Sequence, residues 1–191
     1  EVFATDIMHD MAKDILSQTL SDELLDHAAG FYASDLGRRL VEVENRSHMS
    51  EDDALKDESG ADILAGLESI DSPRIGLLTR LTKASGSEDS AIRAIQEVQV
   101  RFLMAAAGAG VIELRMEEPD LREALREQEG EMRSSIAANA LVSSAYTYQA
   151  FSDAEVEAYA AALEHPQMQE VYELMNAVQY EIMANRFEAV A

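Results

Sequence analysis

Three histidines follow a carboxylate by three or four residues, so that each pair shares one face of a helix. The pairs are Asp6–His9, Glu23–His27 and Glu44–His48. Imidazole and carboxylate groups can hold a transition metal. A di-iron bundle, however, uses Glu-x-x-His on each of two helices with further inward Glu residues, and the sequence lacks that pattern. We interpret the pairs as surface contacts between polar side chains and predict no metal-ligating residue.

A group of acidic residues that precedes Gly60 has the oxygen ligands that calcium prefers. Its members are Glu51, Asp52, Asp53, Asp57 and Glu58. The group lacks the alternating acids and the central glycine of an EF-hand loop. Because the stretch from Ser50 to Gly60 has little apolar content, we expect a solvated loop or a frayed helix there.

Two further features bear on catalysis. The run from Gly108 to Gly110 has neither the preceding strand nor the third glycine of a dinucleotide-binding turn. The chain contains no cysteine, which excludes thiol chemistry and disulfides. The sequence therefore predicts no catalytic residue, no cofactor-binding residue and no cofactor, and it favours a protein that is not an enzyme.

Aromatic and basic residues lie close together in one segment, where Phe31 and Tyr32 are followed by Arg38 and Arg39. Since Tyr and Arg are favoured at protein interfaces, Tyr32, Arg38 and Arg39 are candidate contacts for a partner. A structural role is the alternative: Phe31 would lie in the core, Tyr32 would be partly buried, and the arginines would pair with acids. The structural role is favoured, because Phe31 falls on the inward stripe of a helix.

Helix signals run along the whole chain, and strand signals are weak. Ser21 is suited to capping a helix, Ser72-Pro73 is a start signal, and Ser152 with Glu155 forms a capping box. Pro119 opens a long helix that extends to about Tyr146. The sequence predicts an all-α fold, an irregular multi-helix bundle of about nine helices. We expect one all-helical domain over residues 1–191.

Two segments of the chain resemble each other. Residues 20–47 and 151–183 each predict a capped helix, a short break and a second amphipathic helix. In an alignment of the two, His27 corresponds to Tyr159 and Phe31 to Leu163. We interpret these segments as internal pseudo-repeats that form two related helix–break–helix hairpins.

A long helix is expected from Glu88 to about Leu114. Its last part, from Phe102 to Ile112, is apolar on all sides, which is typical of a central buried helix. This run is also the longest uncharged apolar stretch. It is well short of the ~20 residues that span a bilayer, so no transmembrane segment is predicted.

The formal net charge is −22, from 37 acidic residues against 15 Lys and Arg. Nucleic-acid binding depends on Lys and Arg, so this charge argues against a nucleic-acid partner. It also disfavours an anionic membrane surface. The acidic surface is interpreted as a solvated coat, with attraction of a basic or metallic partner as the alternative.

The segment from Leu20 to Val43 resembles a family of exported bacterial helical proteins that is catalogued only as a domain of unknown function. The residues that carry the resemblance are Glu23, Leu24, Phe31, Tyr32, Ser34, Gly37, Arg39 and Leu40. Asp35 stands where that family usually has proline. The resemblance implies an all-helical fold and export to the periplasm, and it supplies no functional residue. The chain begins at Glu1 without Met, and we expect that a signal peptide has been removed.

These observations favour a non-catalytic helical protein, periplasmic or secreted, that acts through protein contacts or self-association. The alternative is a protein that binds an apolar small molecule in a cavity between its Met-rich helices. An enzyme whose residues are scattered across several helices is a third class, and sequence motifs do not reveal such an enzyme.

Overall fold

The computed structural model describes residues 3–50, 52–86 and 88–189, and for residues 88–90 it describes only the backbone. Within these residues the chain forms ten helices and no strand, which confirms the all-α prediction; about nine helices were expected. The helices are α1 (Thr5–Thr19), α2 (Asp22–Tyr32), α3 (Asp35–His48), α4 (Asp53–Ser69), α5 (Arg74–Ser85), α6 (Glu88–Gly108), α7 (Glu118–Glu127), α8 (Glu129–Thr147), α9 (Asp153–Leu163) and α10 (Pro166–Glu188).

The packing divides the chain into two compact units. The first unit comprises the described residues of Glu1–Ser21, Ser87–Ser134 and Tyr172–Ala191. The second unit comprises Asp22–Gly86 and Ser135–Val171. Helices α8 and α10 each contribute residues to both units. Whether residues 1–191 unfold as one cooperative domain stays a prediction.

The second unit is organised around α5 and α9, which pack along each other. Leu78 on α5 and Leu163 on α9 are fully buried, and Val156 is 1% exposed. Burial of such a side chain stabilises the fold by about 1.5–3 kcal/mol. Val156, Ala160 and Leu163 form the inward stripe of α9.

The core of the first unit contains residues of α6, α7 and α10. Val100 on α6, Leu121 on α7 and Ile182 on α10 are buried. Helix α1 has no buried residue. On α10, Val178 and Ile182 are buried, whereas Met175 is exposed.

The prediction of a buried helix that extends to about Leu114 is wrong. Helix α6 ends at Gly108, and Gly110 has a φ of 73°, a left-handed conformation that does not continue a helix. Val111 is 68% exposed. The apolar run is therefore a helix end followed by an exposed connection.

Between Ser50 and Gly60, where a solvated loop or a frayed helix was expected, the loop alternative is wrong, whereas Asp53, Asp57 and Glu58 are exposed as expected. Helix α4 begins at Asp53, and the side chain of Asp52 caps it by accepting a hydrogen bond from the Leu55 amide at 2.9 Å. Glu51 lies outside the described residues. Gly60 is buried against α8: a Cβ at this position would lie 2.3 Å from the carbonyl oxygen of Val142. Tertiary packing thus holds an acidic segment in helical form.

The single long helix predicted from Pro119 to about Tyr146 is divided in two. Helix α7 ends at Glu127, and the amide of Gln128 donates to the carbonyls of the preceding turn. Helix α8 then begins at Glu129. Two residues also separate α2 from α3 and α9 from α10. The two predicted repeat segments share this helix–break–helix form, and their relationship as repeats stays a prediction.

Candidate interaction site around Tyr32 and Arg39

The site is built on the corner between α2 and α3. Ser34 caps α3, because its hydroxyl oxygen accepts a hydrogen bond from the Gly37 amide at 3.0 Å. Gly37 is buried, and a Cβ there would lie 2.3 Å from the carbonyl oxygen of Phe31. Only a glycine permits this close approach. Leu40, which is 1% exposed, follows one turn later and secures α3 in the core.

Aromatic rings join this corner to α9. The ring of Phe31 stacks on that of Tyr159 with a centroid distance of 5.7 Å and an interplanar angle of 6°. The hydroxyl of Tyr32 lies 3.4 Å from the hydroxyl of Tyr159. Phe31 and Tyr32 are both half-buried. Tyr32 is partly buried, as the structural alternative expects, whereas Phe31 is also half-buried and packs on Tyr159 at the edge of the core.

A carboxylate lies among these tyrosines. Glu44 on α3 accepts a hydrogen bond from the hydroxyl of Tyr148 at 2.8 Å and another from that of Tyr159 at 2.9 Å, both on Oε1. Tyr159 is 2% exposed. Hydrogen bonds to an ionised acceptor are stronger than neutral ones, so Glu44 ties α3 to α9 and to the end of α8.

Arg39 lies at the edge of the same cluster. Its Nη1 donates to Oε1 of Glu155 at 2.6 Å, and its guanidinium lies 4.9 Å from the centroid of the Phe151 ring. Glu155 also completes the predicted capping box, which is confirmed. The Ser152 amide, then the Ser152 hydroxyl and then Arg39 lower the pKa of Glu155 to about 2. Arg39 thus pairs with an acid and packs on a ring, as the structural alternative predicted.

Arg38 differs from Arg39, because its side chain is 68% exposed. It donates to the carbonyl of Ala33 at 3.0 Å and lies 3.8 Å from Asp35. Leu25 on α2 and Val41 on α3 are exposed apolar side chains of the same two helices. The corner therefore presents a basic group and apolar groups to solvent. Of the three predicted contact residues, the structure brings Tyr32 and Arg39 into one cluster and leaves Arg38 outside it.

The histidines are not arranged as their spacing suggests. His9 lies 4.0 Å from Asp10, not beside Asp6. His27 stacks on His165, with a centroid distance of 4.4 Å. Among the side chains that the structure describes, no three or more His, Asp or Glu residues form a group that could hold a metal ion.

The described part of the chain includes three clefts with room for a ligand. One of about 480 Å³ in the second unit is lined by Arg80, Lys83 and Glu164, among other residues. In this cleft Arg80 donates two hydrogen bonds of 2.6 Å each to the carboxylate of Glu164. Two clefts of about 290 and 280 Å³ in the first unit share Arg93 and Glu97. All three have charged walls, unlike the apolar cavity that the small-molecule alternative requires.

Three residues that surround Tyr32 and Arg39 in the structure were not predicted as part of the site: Glu44, Tyr148 and Tyr159. The alignment of the two repeat segments did single out Tyr159, but as the counterpart of His27. No local pattern connects Glu44 with two tyrosines more than a hundred residues later along the chain. That connection depends on the tertiary fold.

Comparison with known proteins places the first part of the chain in context. The family described as "Uncharacterized protein conserved in bacteria (DUF2059)" matches residues 6–65, which span α1, α2, α3 and most of α4. The resemblance to a bacterial domain of unknown function is therefore confirmed over this segment. No curated protein and no solved structure matches the chain. No helix in the described part of the chain is long and apolar enough to cross a membrane.

Proposed function

We propose that this chain is a non-catalytic helical protein of the bacterial periplasm, and that it acts through protein contacts made at the α2–α3 corner. The observation that carries the proposal is a difference in contacts and exposure between two adjacent arginines. Arg39 is engaged by Glu155 and Phe151, whereas Arg38 is mostly exposed, and Leu25 on α2 and Val41 on α3 are exposed apolar residues.

The chemistry of the corner supports a contact surface. Groups that could act on a substrate are engaged with one another: the Glu44 carboxylate accepts two tyrosine hydroxyls, and the Glu155 carboxylate is held by Ser152 and Arg39. An exposed arginine and exposed apolar side chains on the same two helices fit the composition of protein interfaces, where arginine is enriched. The resemblance of residues 20–43 to an exported bacterial family supports the periplasmic location.

Site-specific cross-linking in the bacterial host tests this proposal. A photoreactive residue at Arg38 should give a discrete protein adduct. The same residue at Arg115, an arginine of the first unit whose side chain is 83% exposed, is the matched control and should give none. Equal adducts at both positions, or none at either, would contradict the proposed contact surface.

A separate experiment tests the periplasmic location of the protein. Osmotic shock of the same host should release the protein together with a periplasmic marker enzyme. Recovery of the protein with the cytoplasmic fraction would refute the periplasmic part of the proposal and leave the contact surface to be judged by the cross-linking.

A further inference from the structure

A cleft in the first unit concentrates positive charge in a strongly acidic protein. The cleft lies between α6 and α7 and has a volume of about 280 Å³. Arg93, Arg122 and Arg126 line it, and Glu97 is the acidic residue of its wall. The whole chain has only 15 Lys and Arg against 37 acids. Among the lining side chains three are basic and one is acidic, whereas Glu118 and Glu123 pair with Arg122 and Arg126 from outside the lining.

The negative charge of Glu97 is compensated by two neighbouring arginines. Its Oε1 accepts from Arg101 at 3.0 Å and its Oε2 accepts from Arg122 at 2.8 Å. The bond from Arg122, more than the bond from Arg101, lowers the pKa of Glu97. Glu97 therefore stays ionised and orients two guanidinium groups. It does not oppose an incoming anion with an unpaired charge.

The other two arginines remain accessible to a ligand. Arg93 is exposed and forms no ion pair within the part of the chain that the structure describes. Arg126 pairs with Glu123 at 2.7 Å, but both side chains are more than 60% exposed. An exposed pair of this kind contributes about 0–1 kcal/mol, so a better-placed anion can replace Glu123.

Arginine is suited to one kind of ligand in particular. Its planar guanidinium binds a carboxylate through two parallel hydrogen bonds. Arg93 comes from α6 and Arg126 from α7, so two carboxylates on one ligand can be held from two sides. Val100 and Leu125 add apolar wall between the charged groups. The volume is at the lower end of what ligand sites enclose, which selects a small molecule.

From this geometry we infer that the α6–α7 cleft binds a small organic dicarboxylate. Arg93 and Arg126 hold the two carboxylates, Arg122 stays paired with Glu97 and Glu118 and forms part of the wall, and Val100 and Leu125 contact the carbon chain. The acidic remainder of the surface repels anions, but at 0.1 M salt that repulsion is screened beyond about 10 Å. Short-range hydrogen bonds therefore decide the affinity. This site belongs to the first unit and does not depend on the proposed contact surface.

The test is a titration of the full chain with glutarate, followed by backbone amide NMR and calorimetry. We expect saturable binding with shifts confined to α6 and α7. Arg93→Gln and Arg126→Gln should each weaken binding by about tenfold or more, the loss expected for a charge-assisted hydrogen bond. Arg115→Gln makes the same change of net charge outside the cleft and should leave the affinity unchanged.

Two further probes decide the chemical class. Glutaramide has the size and the apolar chain of glutarate without its charge, and it should not bind. Inorganic phosphate should bind more weakly than glutarate. The inference is overturned if glutarate fails to bind, if glutaramide or phosphate binds as tightly as glutarate, or if Arg115→Gln weakens binding as much as the cleft variants.

Discussion

Gly37 and the carbonyl oxygen of Phe31 are so close that a Cβ on residue 37 would lie 2.3 Å from that oxygen. The same carbonyl accepts the Ser34 amide at 3.0 Å, so it cannot turn away without loss of a hydrogen bond. The close approach of α3 to α2 therefore depends on the absence of a side chain at residue 37. It explains why Gly37, Ser34 and the preceding aromatic pair occur together.

Substitution of Gly37 by alanine should destabilise the protein, because the added Cβ meets backbone atoms that have no room to move. We expect a loss of roughly 1–3 kcal/mol in the free energy of unfolding, the usual cost of overpacking. Gly30→Ala is the control: Gly30 lies in α2 with no atom within 4 Å of a Cβ. Urea unfolding of both variants measures the difference, and equal stabilities would show that the corner is not tightly packed.

A matched pair of glycines tests whether α4 is a packed helix. Gly60 and Gly66 both lie within α4, but only Gly60 meets another helix, at the carbonyl of Val142. Gly60→Ala should lower the unfolding free energy, while Gly66→Ala should raise it by up to about 1 kcal/mol through helix propensity. If Gly60→Ala also stabilised the protein, the segment that begins at Asp53 would not pack as described.

Acid should weaken the cap of α9. The pKa of Glu155 is about 2 in the folded protein, below the ~4.3 of an unperturbed glutamate. A lowered folded-state pKa stabilises the protein above the unfolded value, and that stabilisation disappears as the pH falls from about 4.3 towards about 2. Glu155→Gln keeps a side chain that can accept the Ser152 amide but has no charge to titrate.

Denaturant unfolding at several pH values measures this effect. The stability of Glu155→Gln should fall less steeply than that of the wild type below about pH 4.3. Glu68→Gln removes an exposed carboxylate from α4 and serves as the charge-matched control. If Glu155→Gln and the wild type lost stability in parallel, the hydrogen bonds to Ser152 and Arg39 would not stabilise the folded state.

The single-domain prediction can be tested by destabilising each compact unit separately. Leu78→Ala in the second unit and Ile182→Ala in the first should each cost about 2–5 kcal/mol, because both side chains are buried. If residues 1–191 form one cooperative domain, calorimetry will show one transition that both variants lower. Two transitions, each lowered by only one of the variants, would establish two independently folding domains.

Structural features that depend on residues close together in the sequence were predictable. Ser34 and Ser152 mark helix starts because their hydroxyls satisfy amides of the first turn, and both caps are present. The break after Tyr32 follows from similar local signals. These predictions needed no knowledge of what lies opposite each helix.

Features that depend on distant neighbours were not predictable in the same way. The acidic stretch before Gly60 is a helix with exposed acids, and its packing through Gly60 on Val142, eighty-two residues later in the sequence, was not predicted. The candidate site shows the same limit. Tyr32 and Arg39 were found from their residue types, whereas Glu44 and Tyr159 acquire their roles only when α3 meets α9.

Residues 6–65, which match the family model, do not contain all the side chains that pack against them. Phe31 and Glu44 lie within residues 6–65, but their partners do not. Phe31 stacks on the ring of Tyr159, and Glu44 accepts hydrogen bonds from the hydroxyls of Tyr148 and Tyr159. An excised fragment ending at residue 65 would expose that ring face and lose both hydroxyl donors, so it should not fold by itself. The match to the family model therefore ends well before Tyr148 and Tyr159, the residues whose side chains these contacts require.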